Sequence, residues 1–194
     1  MSANDVRVGQ DGLCEIAPVG TALPAAPDAA LDAAFVDLGE VSEDGLDAAF
    51  STDYSEVKNW SGAVLRSFNT STTVTFKLTF LETNADVLAL FYGNEVDTSS
   101  GLNVPLNAPK PDPRALVITV IDGDNLKRYC LANVQVTERG DVSEKNSEAT
   151  GYEITFTANF DSTLGGFGYL QVAEPVGREK NVAPTSFKKS NTAA

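Results

Sequence analysis

The stretch "TVTFKLTFLE", residues 73–82, decides the fold. Large apolar residues alternate in it with polar ones, Val74, Phe76, Leu78 and Phe80 against Thr73, Thr75, Lys77 and Thr79. A second stretch, "GYEITFTANFD" at residues 151–161, alternates in the same way. Period-two alternation with β-branched and aromatic residues predicts strands of a sheet that has one buried face and one solvated face. The solvated face is mostly threonine and carboxylate.

Other segments extend this sheet. "RALVITVID" and "LKRYCLANVQV" flank Asp122-Gly123-Asp124-Asn125 and predict a hairpin, whose apolar run 115–121 indicates a central strand covered on both faces. Residues 6–18 predict another hairpin around a Gln-Asp-Gly turn, and residues 35–41 predict a short strand. Residues 20–34 and 94–113 are predicted loops, and "STLGGFGYLQV" is either a last strand or a loop.

One segment, "NADVLALFYG" at residues 84–93, predicts a helix. Asn84 suits its N-cap and Gly93 its stop, while Val87, Leu88 and Phe91 share one face. We therefore predict a single domain over residues 1–172 and a flexible C-terminal tail over residues 173–194. The fold class is mainly β, an antiparallel β-sandwich or partly closed barrel with one short flanking α-helix at about 84–92 and a long extended arm.

The arm is the segment from about residue 42 to 68, "SEDGLDAAFSTDYSEVKNWSGAVLRSF". As a two-limbed hairpin it would reach about 35 to 40 Å, too far to fold back wholly on its own sheet. Its glycines and serines oppose the helical alternative that its apolar spacing allows. Exposed apolar side chains invite aggregation unless a partner covers them. We predict subunit-interface contacts at Leu46, Phe50, Tyr54, Val57 and Trp60; a hairpin buried in its own domain is the alternative.

Composition excludes several kinds of function. The 194 residues contain no histidine, which removes histidine-based catalysis and histidine metal sites, and the two cysteines lack metal-ligand spacing. The formal net charge of −13 disfavours binding to nucleic acid. No apolar run is long enough to span a membrane, and the start "MSANDVRVGQDG" lacks the features of a signal peptide. We expect no enzyme activity, no metal and no cofactor.

The order of these elements resembles the tail tube (major tail) proteins of long-tailed, siphovirus-type bacteriophages, particularly those of actinobacterial hosts. The resemblance covers about residues 6–161 and is most telling from residue 60 to 93. It implies hexameric rings that stack into a tube, whose sheets join into a barrel around a lumen. It also implies a tape measure protein, tail-tip and tail-terminator proteins as partners. The protein would be made in the host cytoplasm and located in the virion tail.

In such a tube the solvated sheet face would line the bore. The predicted lumen-facing residues are Thr73, Thr75, Thr79, Glu153, Thr155, Thr157 and Asn159, with Lys77 as a lone basic residue among them. A ring of six copies would carry a formal charge of six times −13, or −78. Such a wall lets genomic DNA pass without binding it. The alternatives are a carbohydrate-binding or adhesin β-sandwich, and a capsid decoration or head–tail joining protein.

Overall fold

The computed structural model describes residues 6–173, which form strands and one helix. The elements are β1 (Asp11–Pro18), β2 (Val36–Asp37), β3 (Asp47–Lys58), β4 (Val64–Phe80), α1 (Ala85–Tyr92), β5 (Arg114–Asp122), β6 (Asn125–Arg139), β7 (Tyr152–Ala158) and β8 (Tyr169–Val172). The predicted C-terminal tail lies outside the described residues from position 174 onward.

All described strands belong to one antiparallel sheet with the order β2-β1-β5-β6-β7-β4-β3, and β8 also pairs with β6. The predicted fold class is confirmed: the described chain is mainly β, antiparallel, and carries one short helix. The sheet is not closed into a barrel, since β2 and β3 stand at opposite ends of the strand order.

The sheet bends over itself at β6. The first part of β6 pairs with β5 and β8, whereas its second part pairs with β7. Phe76 of β4 lies opposite Phe156 of β7, which in turn lies opposite Val136 of β6. In a flat sheet Val136 and Tyr129, which share β6, would be about 23 Å apart at about 3.3 Å per residue. Yet the rings of Phe76 and Tyr129 are 5.3 Å apart. The two halves of the sheet therefore face each other across one core, as in a sandwich.

This single core draws on both halves of the sheet and on the helix. Its largest fully buried members include Phe76, Phe80, Phe156, Leu38, Leu116, Ile118, Ile154 and Val87. The predicted alternation is present, because every second residue is buried from Val74 to the end of β4 and throughout β7. One face of these strands therefore contributes to the core, and the other face is solvated.

The helix has the predicted caps. Asn84 Oδ1 accepts a hydrogen bond from the Val87 N–H at 2.8 Å, and Gly93 has a φ of 66° while its N–H donates to the Ala89 carbonyl at 2.8 Å. This is the left-handed C-terminal stop that glycine adopts without steric cost. Phe91 packs on β7, with its ring 5.4 Å from that of Tyr152.

Replacing Asn84 with alanine should lower the free energy of unfolding by about 1 kcal/mol, because the Val87 N–H loses its acceptor at the helix start. Asn84→Ser should stay close to the wild type, since serine is also a good N-cap. Urea denaturation of the two variants measures the difference. Equal losses in both would show that the cap contributes nothing and that another Asn84 contact matters.

The hairpin predicted for residues 6–18 is wrong. β1 begins at Asp11 and pairs with β5 on one edge and β2 on the other, so both edges are taken by distant partners. The Gln10 N–H donates to the Ile121 carbonyl at 2.9 Å, which continues the alignment with β5 where a turn was expected. The short strand predicted at 35–41 is reduced to Val36–Asp37.

The central hairpin is confirmed. β5 and β6 are joined through Gly123 and Asp124, where Gly123 has a φ of 57°. Residues 115–119 of β5 are buried, as its apolar run predicts. The predicted loop 20–34 helps to cover the face away from the core: the Arg128 guanidinium donates to the Ala29 carbonyl at 2.8 Å, and Gln171 Nε2 donates to the Pro24 carbonyl at 2.9 Å. The stretch 162–172 ends in a strand, β8, after a loop.

Candidate assembly surfaces: the arm and the threonine face

A two-stranded ribbon projects beyond the sheet, formed by β3 and the first part of β4. β7 pairs with β4 only from Val74 onward, so residues 64–73 of β4 pair with β3 alone. The projecting part comprises residues 50–73 and not about 42–68 as predicted from the sequence, and we keep the name arm for residues 50–73. The unaccompanied part of β4 is about 30 Å long at about 3.3 Å per residue. Positions 50–71 are all exposed, so the alternative of a hairpin buried in its own domain is wrong.

The arm exposes large apolar side chains along its length. Trp60 at its tip is 106% exposed, and Phe50, Tyr54 and Leu65 are each 67% exposed. Val57, Val64 and Phe68 add to them. Two-residue periodicity puts Phe50 and Tyr54 on one face, while Phe68 pairs with Ser55 on the other. Exposed apolar surface of this kind predicts a contact with another molecule.

The turn that carries Trp60 is held by its own hydrogen bonds. Asn59 Oδ1 accepts from the Ala63 N–H at 2.8 Å and from the Ser61 hydroxyl at 2.8 Å, while Gly62 has a φ of 85°. The side chains of asparagine and serine and the freedom of glycine commonly fix such turns. The tip of the arm is thus a defined structure that presents the indole to solvent.

The structure separates the five predicted interface residues. Phe50, Tyr54, Val57 and Trp60 lie exposed on the arm. Leu46 lies before β3, where it is half-buried and packs against the core of its own chain. Phe50 is the base of the arm, with its ring 6.2 Å from that of the buried Phe76. The interface role of all five stays a prediction.

The polar residues of β4 and β7 form a continuous outward face, which we call the threonine face. Its members are Thr73, Thr75, Lys77, Thr79, Glu153, Thr155, Thr157 and Asn159, each of them at least partly exposed. Thr75 lies opposite Thr157 and Thr79 opposite Glu153. The Thr157 hydroxyl is 2.8 Å from that of Thr137 on β6, which extends the face by one strand. The seven predicted lumen residues therefore share one surface, and its position in a bore stays a prediction.

Lys77 is compensated by two carboxylates. Its Nζ lies 3.5 Å from Glu153 and 3.6 Å from Asp47. Glu153 first, and Asp47 second, raise the pKa of Lys77, so the ammonium stays charged at neutral pH. The three groups together carry one net negative charge. The lone basic residue therefore does not make the threonine face basic.

Sequence reasoning missed Asp47 as a member of this face. The β3–β4 register places it directly opposite Lys77. That register contains irregularities at Asp53/Tyr54 and Val57/Lys58, and each such bulge shifts the pairing by a residue. In the sequence Asp47 is one of several acidic residues between positions 40 and 56, and nothing distinguishes it from the others.

The described residues offer no cluster of metal ligands. Within residues 6–173 no three Cys, Asp or Glu side chains stand together as metal ligands. Burial raises the pKa of the Cys14 thiol and raises that of Cys130 to about 11, so both are protonated at neutral pH. No helix in the described part of the chain is long and apolar enough to cross a membrane.

Comparisons with known proteins bear on these surfaces. The family model described as "Phage tail tube protein" matches residues 1–190. A comparison with curated proteins found no match. Among solved structures, the chain is similar to one from an extracellular contractile injection system, the PVC sheath–tube complex in its extended state. That likeness has a TM-score of 0.51 at 10% identity and covers 89% of this chain and 99% of the other; it shows a shared fold.

Two further solved structures are more distant. One is the tube-terminating cap of the anti-feeding prophage, with a TM-score of 0.46, 14% identity, and coverage of 89% of this chain and 95% of that one. The other is the virion of a native gene transfer agent particle, with a TM-score of 0.41, 13% identity, and coverage of 87% and 100%.

Proposed function

Because this chain belongs to the phage tail tube protein family, we propose that its copies form hexameric rings that stack into the tube of a long-tailed phage. The protein is a structural component of the virion tail. The observation that carries the proposal is the arm, which extends past the core with its apolar side chains exposed. These side chains need a partner, and other copies of the chain supply one.

Covering the arm gives a sizeable driving force. Fully burying one large apolar side chain is worth about 1.5–3 kcal/mol, and aromatic residues dominate the binding energy of interfaces. The free edge of β4 along residues 64–73 offers unpaired backbone groups to a neighbouring strand as well. Pairing that edge with another copy would protect it and continue the sheet from subunit to subunit.

The threonine face lines the bore in this arrangement. Hydroxyl groups and carboxylates give phosphate groups no cation to bind, and Lys77 is already paired with Glu153 and Asp47. DNA retention depends on lysine and arginine contacts that release counterions. The bore would therefore conduct DNA as a passenger and would not hold it.

The remaining partners follow from the family. We propose a tape measure protein inside the tube, with tail-tip and tail-terminator proteins at its two ends. We propose no enzymatic role, since the function of a tube subunit is carried by its surfaces. Four of the five exposed aromatic residues in the described part of the chain, Phe50, Tyr54, Trp60 and Phe68, lie along the narrow arm, and Phe160 lies elsewhere. A carbohydrate-binding module needs its aromatics on a flat platform, so a glycan-binding function is not favoured.

The Trp60→Ala variant tests the proposal. We expect the concentration needed for assembly to rise about thirtyfold, the equivalent of about 2 kcal/mol for an interface anchor. Sedimentation of a concentration series, followed by negative-stain microscopy of the heavy fraction, measures it. Val19→Ala, which removes an exposed apolar side chain away from the arm, should assemble like the wild type. Unchanged assembly of Trp60→Ala would contradict the role of the arm.

A further inference from the structure

A groove of about 410 Å³ opens between the two halves of the folded sheet. Its apolar lining comes from both halves and includes Leu46, Leu78, Ile118, Val120 and Tyr129. Three carboxylates, from Asp11, Glu43 and Asp44, line its mouth together with a single lysine, Lys127. A concave site of this volume, in which apolar and polar groups lie side by side, has room for a large side chain with an apolar body and a polar edge, such as an indole.

The tip of the arm has the complementary chemistry. Trp60 is the largest exposed apolar side chain of the chain, and Lys58 and Arg66 lie on either side of it at the end of the ribbon. Lys58 is 3.2 Å from Glu56, whereas among residues 6–173 no carboxylate stands within ion-pair distance of Arg66. An indole flanked by two basic side chains is thus complementary in charge to a groove with an acidic mouth.

Trp60 cannot enter the groove of its own chain. Residues 41–46 line the groove and directly precede β3. β3 then runs for 12 residues before the turn that holds Trp60, which is about 40 Å at about 3.3 Å per residue. The indole and the groove are therefore at opposite ends of the ribbon. Only a second copy can bring them together.

We propose that Trp60 of one copy inserts into this groove of another, with Arg66 against the acidic mouth. This inference rests on the proposed function and adds the place where the arm docks. The two surfaces differ, so the contact is head-to-tail: each copy that donates its tip still has a vacant groove. Such contacts either close into rings or continue without limit. Because the tip and the groove lie at opposite ends of the ribbon, each repeat of this contact adds the next copy along the long axis of the arm.

A mixing experiment tests the docking site. The acceptor variant, Trp60→Ala, keeps the groove. The donor variant, Gln10→Phe with Glu43→Arg, keeps Trp60. The first change fills the groove, and the second cancels the net negative charge of its lining; both positions are exposed. Because the chain has a single tryptophan, all tryptophan emission in the mixture comes from the donor. We expect the emission to shift to shorter wavelength, and quenching by acrylamide to fall, when acceptor is added to donor.

Two further mixtures serve as controls. An acceptor that also carries Gln10→Phe and Glu43→Arg should produce no shift. A donor that also carries Arg66→Glu should produce no shift with the Trp60→Ala acceptor. It should regain part of the shift with an acceptor that carries both Trp60→Ala and Glu43→Arg, because the two charges are then opposite again. Circular dichroism of each variant should match the wild type, because all changed side chains are exposed.

The outcomes separate the docking site from the proposed function. If wild-type tubes form but Trp60 stays as open to acrylamide as in dilute protein, or if the blocked acceptor shifts the emission equally, the groove is not the docking site and the tube function stands. If the wild type never assembles at any concentration and the mixture gives no shift, both proposals fail.

Discussion

Replacing Phe76 with alanine is expected to lower the free energy of unfolding by about 3–5 kcal/mol. Phe76 is buried in β4 at the centre of the fold, where its ring meets Tyr129 of the opposing half of the sheet and Phe50 at the base of the arm. The substitution removes the group that joins these three parts and leaves a cavity between them. Since a domain is stable by about 5–15 kcal/mol, the loss is a large share.

Phe50→Ala is the matched control, because it deletes the same ring one strand away. Phe50 is 67% exposed, and surface substitutions usually change stability by less than about 0.5 kcal/mol. Urea denaturation of both variants as dilute protein measures the contrast. A loss in Phe50→Ala as large as that in Phe76→Ala would mean that the arm is folded against its own core.

Two lysines on the threonine face should turn the bore into a site that holds DNA. The substitutions are Thr73→Lys and Thr157→Lys, whose opposing residues Ser51, Thr75 and Gln135 carry no charge. Tubes of this variant should bind short linear duplex DNA, whereas wild-type tubes should not. The binding should weaken steeply with salt, about 10³–10⁵-fold between about 50 and 200 mM for six to ten phosphate contacts.

The form of the DNA tells whether these lysines face the bore. Closed circular DNA has no end that can enter a tube, so the variant should bind linear duplex and leave closed circles free. A control with Ala30→Lys and Ala33→Lys, both exposed in the loop that covers β5 and β6, should bind both forms alike. Equal binding of circles by the threonine-face variant would place that face on the outside of the tube.

The sequence was most informative where the structural signal is local. The alternation along β4 and β7 correctly predicted that Phe76 and Phe156 are buried and that Thr75 and Thr157 lie on the opposite face, because successive side chains of a strand point to opposite faces. The caps at Asn84 and Gly93 predicted the helix, and the Gly123-Asp124 connection predicted the central hairpin. The length of the arm segment predicted a projection beyond the core.

Long-range pairing escaped sequence reasoning. β1 was expected to turn back on residues 6–8, but its partners β5 and β2 lie far along the chain, and local turn chemistry carries no information about them. The bend of the sheet at β6 brings Tyr129 to Phe76 and creates the groove near Leu46. For that reason the sequence placed Leu46 with the arm, whereas it packs against the core.

Electron cryomicroscopy of tubes grown from the purified protein would show which surfaces of the subunit meet and which line the bore. We expect rings of six subunits in which other copies cover Phe50, Tyr54 and Trp60, while Thr75, Thr155 and Thr157 line the bore. A tube whose arms project uncovered into solvent, or whose bore is formed by another face of the sheet, would contradict this arrangement.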